Sequence, residues 1–183
     1  MKRIIILVCA TLATLSAMAF SSTVQSKLVG DVKISCKESA WKIDTKIVSK
    51  GEIEEITIEM TATEPTTPTP LKVEFMTPQL DAHHLWQTNR SNRTILPPDW
   101  SGKYSSALAQ TVPLYSFINS NNRNRLTIAT SEAKRRVDAR IGLREEGAVL
   151  YGALSFFAEA EAPISHYKTT ILLDKRDIFW ADA

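Results

Sequence analysis

Few side chains in this sequence have chemistry to offer. Asp81, His83 and His84 form an Asp-x-His-His run, and imidazoles with a carboxylate are donors that zinc accepts. Neighbouring residues of an extended chain point to opposite sides, so both imidazoles reach one ion only through a turn. The next histidine, His166, is far along the chain, so no metal is expected. Glu145 and Glu146 supply paired carboxylates, the groups that hydrolyse glycosides as acid and nucleophile or base. On a strand they too face opposite ways, and the following Gly147 marks a turn where charges are solvated. Asp81 and Asp99 share one segment, with nothing in the spacing that pairs them. Cys36 falls in phase with Ile34 in Val32-Lys33-Ile34-Ser35-Cys36, the position of a small buried thiol rather than a nucleophile, since no histidine beside it would activate it. There is no Gly-x-Ser-x-Gly elbow, phosphate-binding glycine loop or Cys-x-x-Cys pair. No cofactor is expected, and the chain alone is expected to be catalytically inactive.

The aromatic residues offer binding rather than reaction. Trp86 and Trp100 lie among Asn89, Arg90, Asn92, Arg93 and Asp99. An indole face accepts the apolar face of a sugar ring, and Arg90, Arg93 and Asp99 could hydrogen-bond its hydroxyls. The same indoles could instead pin a long loop to a sheet by burying their area. Both readings stand on the sequence. Asn89-Arg90-Ser91 and Asn92-Arg93-Thr94 are also glycosylation sequons, relevant only in a host that uses them.

The elements that must carry these residues are strands. Trp41, Ile43, Thr45 and Ile47 alternate with polar neighbours, as do Ile56, Ile58 and Met60, then Leu71, Val73 and Phe75. A half-buried antiparallel sheet requires this period of two. Ser49-Lys50-Gly51-Glu52 reads as a hairpin turn. Glu64-Pro65-Thr66-Thr67-Pro68-Thr69-Pro70 removes ladder donors and reads as a loop or a crossing between sheets. Residues 77–111 lose the alternation and read as one long irregular loop. Strands resume at Val112–Ile118 and Arg125–Thr130 around an Asn119–Asn122 turn, then at Val137–Leu143, Val149–Phe157 and Tyr167–Asp174. Only Ser131–Lys134 suits a short helical turn. The pattern predicts an all-β antiparallel sandwich with little helix beyond the leader.

That leader is the first nineteen residues. Lys2 and Arg3 precede an apolar run of about 12 residues, short of the roughly 20 needed to span a bilayer. Ala17-Met18-Ala19 then offers a small-x-small cleavage site. The reading is a signal peptide over 1–19, cleavage after Ala19, and a single domain over 20–183 in the periplasm or outside the cell, with no membrane attachment after cleavage. The leader holds two of the 22 basic residues, leaving 20 against 20 acidic ones. This balance argues against general attraction to nucleic acid. Cleavage also removes Cys9, and the lone Cys36 has no internal disulfide partner. The basic run Arg123 to Arg144 is interleaved with acidic residues and reads as a salt-bridged strand surface.

From about Trp86 onward the chain resembles the N-terminal domain of bacterial α-galactosidase-like glycoside hydrolases. The resemblance lies in Leu85-Trp86 and the Arg-rich stretch after it, Leu96-Pro97-Pro98-Asp99-Trp100, and the approach from Ser105-Ser106 to Val112-Pro113-Leu114. It continues in Asn124 through Ala133, Leu143-Arg144-Glu145-Glu146, and Ser165-His166-Tyr167 through Asp177. It implies a supersandwich-like β-domain preceding a (β/α)₈ barrel that carries two catalytic aspartates. This chain reaches Ile178-Phe179-Trp180 about where that family enters the barrel. Neither aspartate transfers to it, and Asp174, Asp177 and Asp182 take no catalytic role. The implied function is the non-catalytic sandwich of a secreted α-galactosidase-like enzyme, with a galactoside or other glycan as ligand and the missing barrel as packing partner for the apolar end. The alternative is a free-standing secreted carbohydrate-binding or interaction module.

Overall fold

Alternation decides the architecture. Val32, Ile34 and Cys36, then Leu71, Val73 and Phe75, then Val137, Ala139, Ile141 and Leu143 are all buried, while most residues between them are less so. Each fully buried aliphatic side chain contributes roughly 1.5–3 kcal/mol, so these rows must find an opposing apolar surface. In a computed structural model, which describes residues 20–36, 40–67, 69–78, 80–87, 93–97, 100–105, 114–131, 136–144, 149–157 and 163–179, they find it in a second sheet.

The strands among the described residues are β1 (Phe20–Ser26), β2 (Gly30–Cys36), β3 (Lys42–Lys50), β4 (Ile53–Thr66), β5 (Leu71–Pro78), β6 (His84–Gln87), β7 (Arg93–Ile95), β8 (Ser101–Ser105), β9 (Leu114–Ile118), β10 (Asn124–Thr130), β11 (Arg136–Arg144), β12 (Val149–Phe157) and β13 (Ile164–Asp174). One sheet has six strands in the order β1-β2-β5-β12-β11-β8, the other seven in the order β3-β4-β13-β10-β9-β6-β7. Every strand pairing is antiparallel. The all-β sandwich is thus the observed fold, with no helix among the described residues. The leader and the Glu132–Lys134 part of the expected helical turn lie outside those residues.

Local chemistry explains the connections. Gly51 turns β3 into β4 with a φ of 62°, and Asn122 turns β9 into β10 with a φ of 56°, conformations that glycine and asparagine tolerate best. Of the proline-rich stretch, Glu64–Thr66 still belong to β4, and the crossing to the other sheet falls between Thr66 and the start of β5 at Leu71. Within the core, Gly152 is paired with Phe75, and a Cβ there would lie 2.3 Å from the Phe75 ring. The phenyl ring fills the space that a side chain on residue 152 would need.

The expected single loop over 77–111 is a correction. It contains the end of β5 and all of β6, β7 and β8. These strands are three to five residues long after β5, too short to display a period.

Glu54 places a buried charge between the sheets. Glu54 of β4 is 0% exposed and in phase with Ile56, Ile58 and Met60. Its carboxylate accepts hydrogen bonds from the Ser26 hydroxyl, the Lys27 backbone N–H at 3.0 Å and the Ser49 hydroxyl at 2.9 Å. The Ser26 hydroxyl oxygen in turn accepts from the backbone N–H groups of Leu28 and Val29. The turn between β1 and β2 is therefore tied to the opposite sheet. Burial pushes the Glu54 carboxyl up, but the hydrogen bonds from Ser26, Lys27, Ser49 and Leu28 outweigh it and hold the group below its ordinary value of 4.5.

A carboxyl depressed in the folded state stabilises the protein above its unfolded pKa, and that stability is lost as pH falls through the folded one. Glu54→Gln should therefore cost roughly 1–3 kcal/mol at pH 7. Urea denaturation of both proteins from pH 7 to pH 3 should show the difference shrinking below about pH 4.5; a difference constant across that range would contradict the assignment.

Candidate functional site

The aromatic residues singled out by sequence fall on one lateral side of the sandwich. Leu85 is 1% exposed and anchors β6 to the core, and β6 pairs with β9 from His84 opposite Ile118 to Gln87 opposite Tyr115. The β6–β7 hairpin sets Trp86 directly across from Arg93. The chain then leaves this edge of the seven-stranded sheet. Leu96 is buried, its N–H donating to the His83 carbonyl at 2.9 Å. The Trp100 N–H donates to the Pro97 carbonyl, and the Trp100 carbonyl accepts from the Leu143 N–H at 2.7 Å. That last bond starts the pairing of β8 with β11 at the edge of the six-stranded sheet. The stretch from β6 to β8 thus joins one edge of each sheet.

Trp100 is half-buried and packs against the core, which is the pinning role weighed for it above. Trp86 and Arg93 are brought together as cross-strand partners at the level of the backbone. Arg90 and Asp99 lie outside the described residues. The register continues from Trp86 to Ser116, from Ser116 to Thr127 and from Thr127 to Asp174, so Trp86 and Arg93 end a row of polar positions crossing the sheet.

That row is organised by residues the sequence did not single out for binding. Buried Asn124 donates through its carboxamide to the carbonyls of Asp174 and Arg176, both at 3.1 Å, and accepts from the Thr127 hydroxyl. The hydroxyls of Thr127 and Ser116 share a bond at 2.9 Å. The backbone N–H of Asn124 donates to the Ile178 carbonyl. Asp177 meets both Arg123 and Arg125, at 3.0 and 3.1 Å. Hydrogen bonding from Arg123, aided by the charge of Arg125, holds its carboxyl below the usual range. Asp174 pairs with Arg176. Residues 175–179 are therefore strapped along the start of β10. The salt-bridged reading of the basic run holds for Arg123 and Arg125, with a partner from much later in the chain. An asparagine two residues after the expected Asn119–Asn122 turn carries no signal in the sequence that its side chain will hold a strand-end strap.

The histidines do not gather. His83 lies 3.4 Å from Asp81 at the surface, and His166 bonds Glu59 at 2.7 Å across β13 and β4. Among the described residues no three His, Cys, Asp or Glu side chains are placed to hold a metal ion. Cys36 is buried as expected, 3.8 Å from the Thr69 hydroxyl.

No protein-family model matches the chain, and no curated protein matches it. Among solved structures it is similar to the α-N-acetylgalactosaminidase NagBb from Bifidobacterium bifidum in complex with GalNAc, with 11% identity, a TM-score of 0.47, and coverage of 88% of this chain and 28% of that one. It is also similar to the Slr1438 protein from Synechocystis sp. PCC 6803, with 10% identity, a TM-score of 0.43, and coverage of 84% of this chain and 65% of that one. The chain therefore spans less than a third of the first and about two thirds of the second.

The strap gives a direct prediction. Asn124→Ala removes two buried donors and an acceptor, and should cost about 2–3 kcal/mol in urea denaturation while speeding hydrogen exchange at the Asn124 amide. Asp177→Asn, at an exposed ion pair, should change stability far less. Equal effects from the two variants would show that the ion pairs, not the carboxamide, hold the strap.

Proposed function

We propose that this chain is an exported, non-catalytic carbohydrate-associated sandwich, acting as the N-terminal domain of an α-galactosidase-like glycoside hydrolase whose barrel performs the reaction. The reading is supported by the residues that resemble that family from Leu85-Trp86 to Asp177. It is supported also by the two-sheet architecture, which is the kind that the resemblance implies. The observation that carries it is the register of the β6–β7 hairpin, with Trp86 opposite Arg93 at an edge. A tryptophan and an arginine at paired backbone positions suit a sugar ring, since an indole offers stacking and a guanidinium two or more hydrogen-bond donors. The glycan contact is assigned to Trp86 and Arg93, together with Arg90, Asp99 and the exposed part of Trp100. Export follows from the leader, with the mature chain starting at Phe20.

The purified chain should leave an aryl α-galactoside intact, while galactosides and galactose-containing oligosaccharides change its tryptophan fluorescence saturably. Trp86→Ala should remove most of that response. Turnover abolished by a single Asp substitution in this chain would overturn the non-catalytic assignment. An unresponsive fluorescence would overturn the glycan contact. Edman sequencing of exported protein should begin at Phe20.

A further inference from the structure

The outward face of the six-stranded sheet holds a cluster that neither the core nor the strap uses. Val137, Ala139, Ile141 and Leu143 of β11 are buried in the core, so Asp138, Arg140 and Gly142 face outward. Gly142 has no side chain to shield it, yet it is buried. Tyr151, its direct partner on β12, covers it: a Cβ on Gly142 would lie 2.4 Å from the Tyr151 hydroxyl oxygen and 2.5 Å from Cζ. The phenol ring therefore lies down over the glycine with one side against the sheet. Tyr151 is half-buried, so part of the ring meets solvent. On its other flank Tyr151 pairs with Met76 of β5, which is 57% exposed. Beyond Gly142 stands exposed Ser101 of β8. This row is a low apolar shelf ending in a serine.

The next row carries charge. Arg140, two residues along β11 from Gly142 and so about 7 Å away, pairs with Lys103 of β8. Both side chains are exposed, and neither is ion-paired among the described residues. Like charges set directly opposite each other repel, a cost that an anion between them removes. The carboxylates of this face are engaged elsewhere. Asp138 has an interaction of its own, and Glu74, beyond Ala153, is held by Lys72 at 2.6 Å. An apolar shelf beside two unpaired cations suits a ring with one apolar face and a carboxylate. A uronic acid is such a ring: its C–H face can lie on the phenol while its carboxylate accepts from Arg140 and Lys103. A nucleic acid would need several phosphate contacts, and a formal net charge of +2 gives little general attraction to one.

We propose that the outward face of β8, β11 and β12 binds a uronate unit of an acidic glycan, with the sugar ring stacked on Tyr151 and its carboxylate held by Arg140 and Lys103. The site lies on the other sheet from the Trp86 hairpin. It does not rest on the proposal for that hairpin.

The test is a titration of the ¹⁵N-labelled chain at low salt with trigalacturonate and with its methyl ester, which keeps the rings and removes the charge. Trigalacturonate should shift the Gly142, Tyr151 and Lys103 amides saturably, and the ester should bind about tenfold more weakly. Arg140→Gln, at an exposed position, should weaken trigalacturonate about fivefold. Tyr151→Leu, which still covers Gly142 but offers no flat ring, should weaken it by about the same factor; Arg140→Gln carries the test alone if urea denaturation shows that variant to be unfolded. The Leu85 and Trp86 amides report the hairpin in the same spectra, so failure at one site is distinguished from failure at the other. The proposal is overturned if trigalacturonate does not saturate the three amides, if the ester binds as tightly, or if a folded variant keeps the full affinity. It is overturned equally if a thymidine oligonucleotide shifts those amides while trigalacturonate leaves them still, which would make the face a nucleic-acid surface.

Discussion

The two sheets are held by rows of aliphatic and aromatic side chains drawn from every second residue, and the rest of the molecule is arranged to keep that contact dry. Val73 lies between Ile34 and Leu154 in the six-stranded sheet, and Ile58 lies beside Thr169 in the other. Burial at this interface is the main favourable term in folding, and the Cys36 within it is a free thiol. It also fixes the register: a slip of one residue on any central strand would turn its apolar set to solvent and its charges inward. The Phe75 ring over Gly152 shows how closely the pieces fit.

Polar groups inside this frame are tolerated where they tie separate pieces together. Glu54 binds the β1–β2 turn to the opposite sheet, and Lys175, whose ammonium donates to the Leu28 carbonyl at 3.1 Å, reaches the same turn from the C-terminal strap. Asn124 holds that strap against β10. In each case a buried or half-buried side chain satisfies backbone groups that would otherwise be left at the end of a strand or in a turn, which is where an unmade hydrogen bond costs most. The exposed ion pairs of Asp177 add position more than stability.

Much of this was legible in the sequence because most long strands keep a strict period of two. The β4, β5 and β11 patterns, the Gly51 turn, the proline-rich crossing and the burial of Cys36 all follow from local rules. The segment from β6 to β8 was not legible, since its short strands are separated by prolines and polar residues and are defined by what they pair with. β1 was hidden for a related reason: Phe20–Ser26 is mostly polar, and its partner β2 makes it a strand. Glu54 could have been found, since it stands in phase with Ile56, Ile58 and Met60, but glutamate in that phase looks like an interruption until the turn that needs its carboxylate is seen. Of the candidate binding residues, the pairing of Trp86 with Arg93 came only from the hairpin register.

These features make a rigid frame with an aromatic hairpin at one edge, and the account's central claim is that this edge contacts glycan without transforming it. One proton NMR experiment on the purified chain with an α-galactoside tests both halves, by saturation-transfer difference over hours. The account predicts transfer to the face protons of the sugar, with its anomeric signals unchanged throughout. Absence of transfer, or the growth of free reducing-sugar signals that an Asp substitution in this chain abolishes, would contradict it.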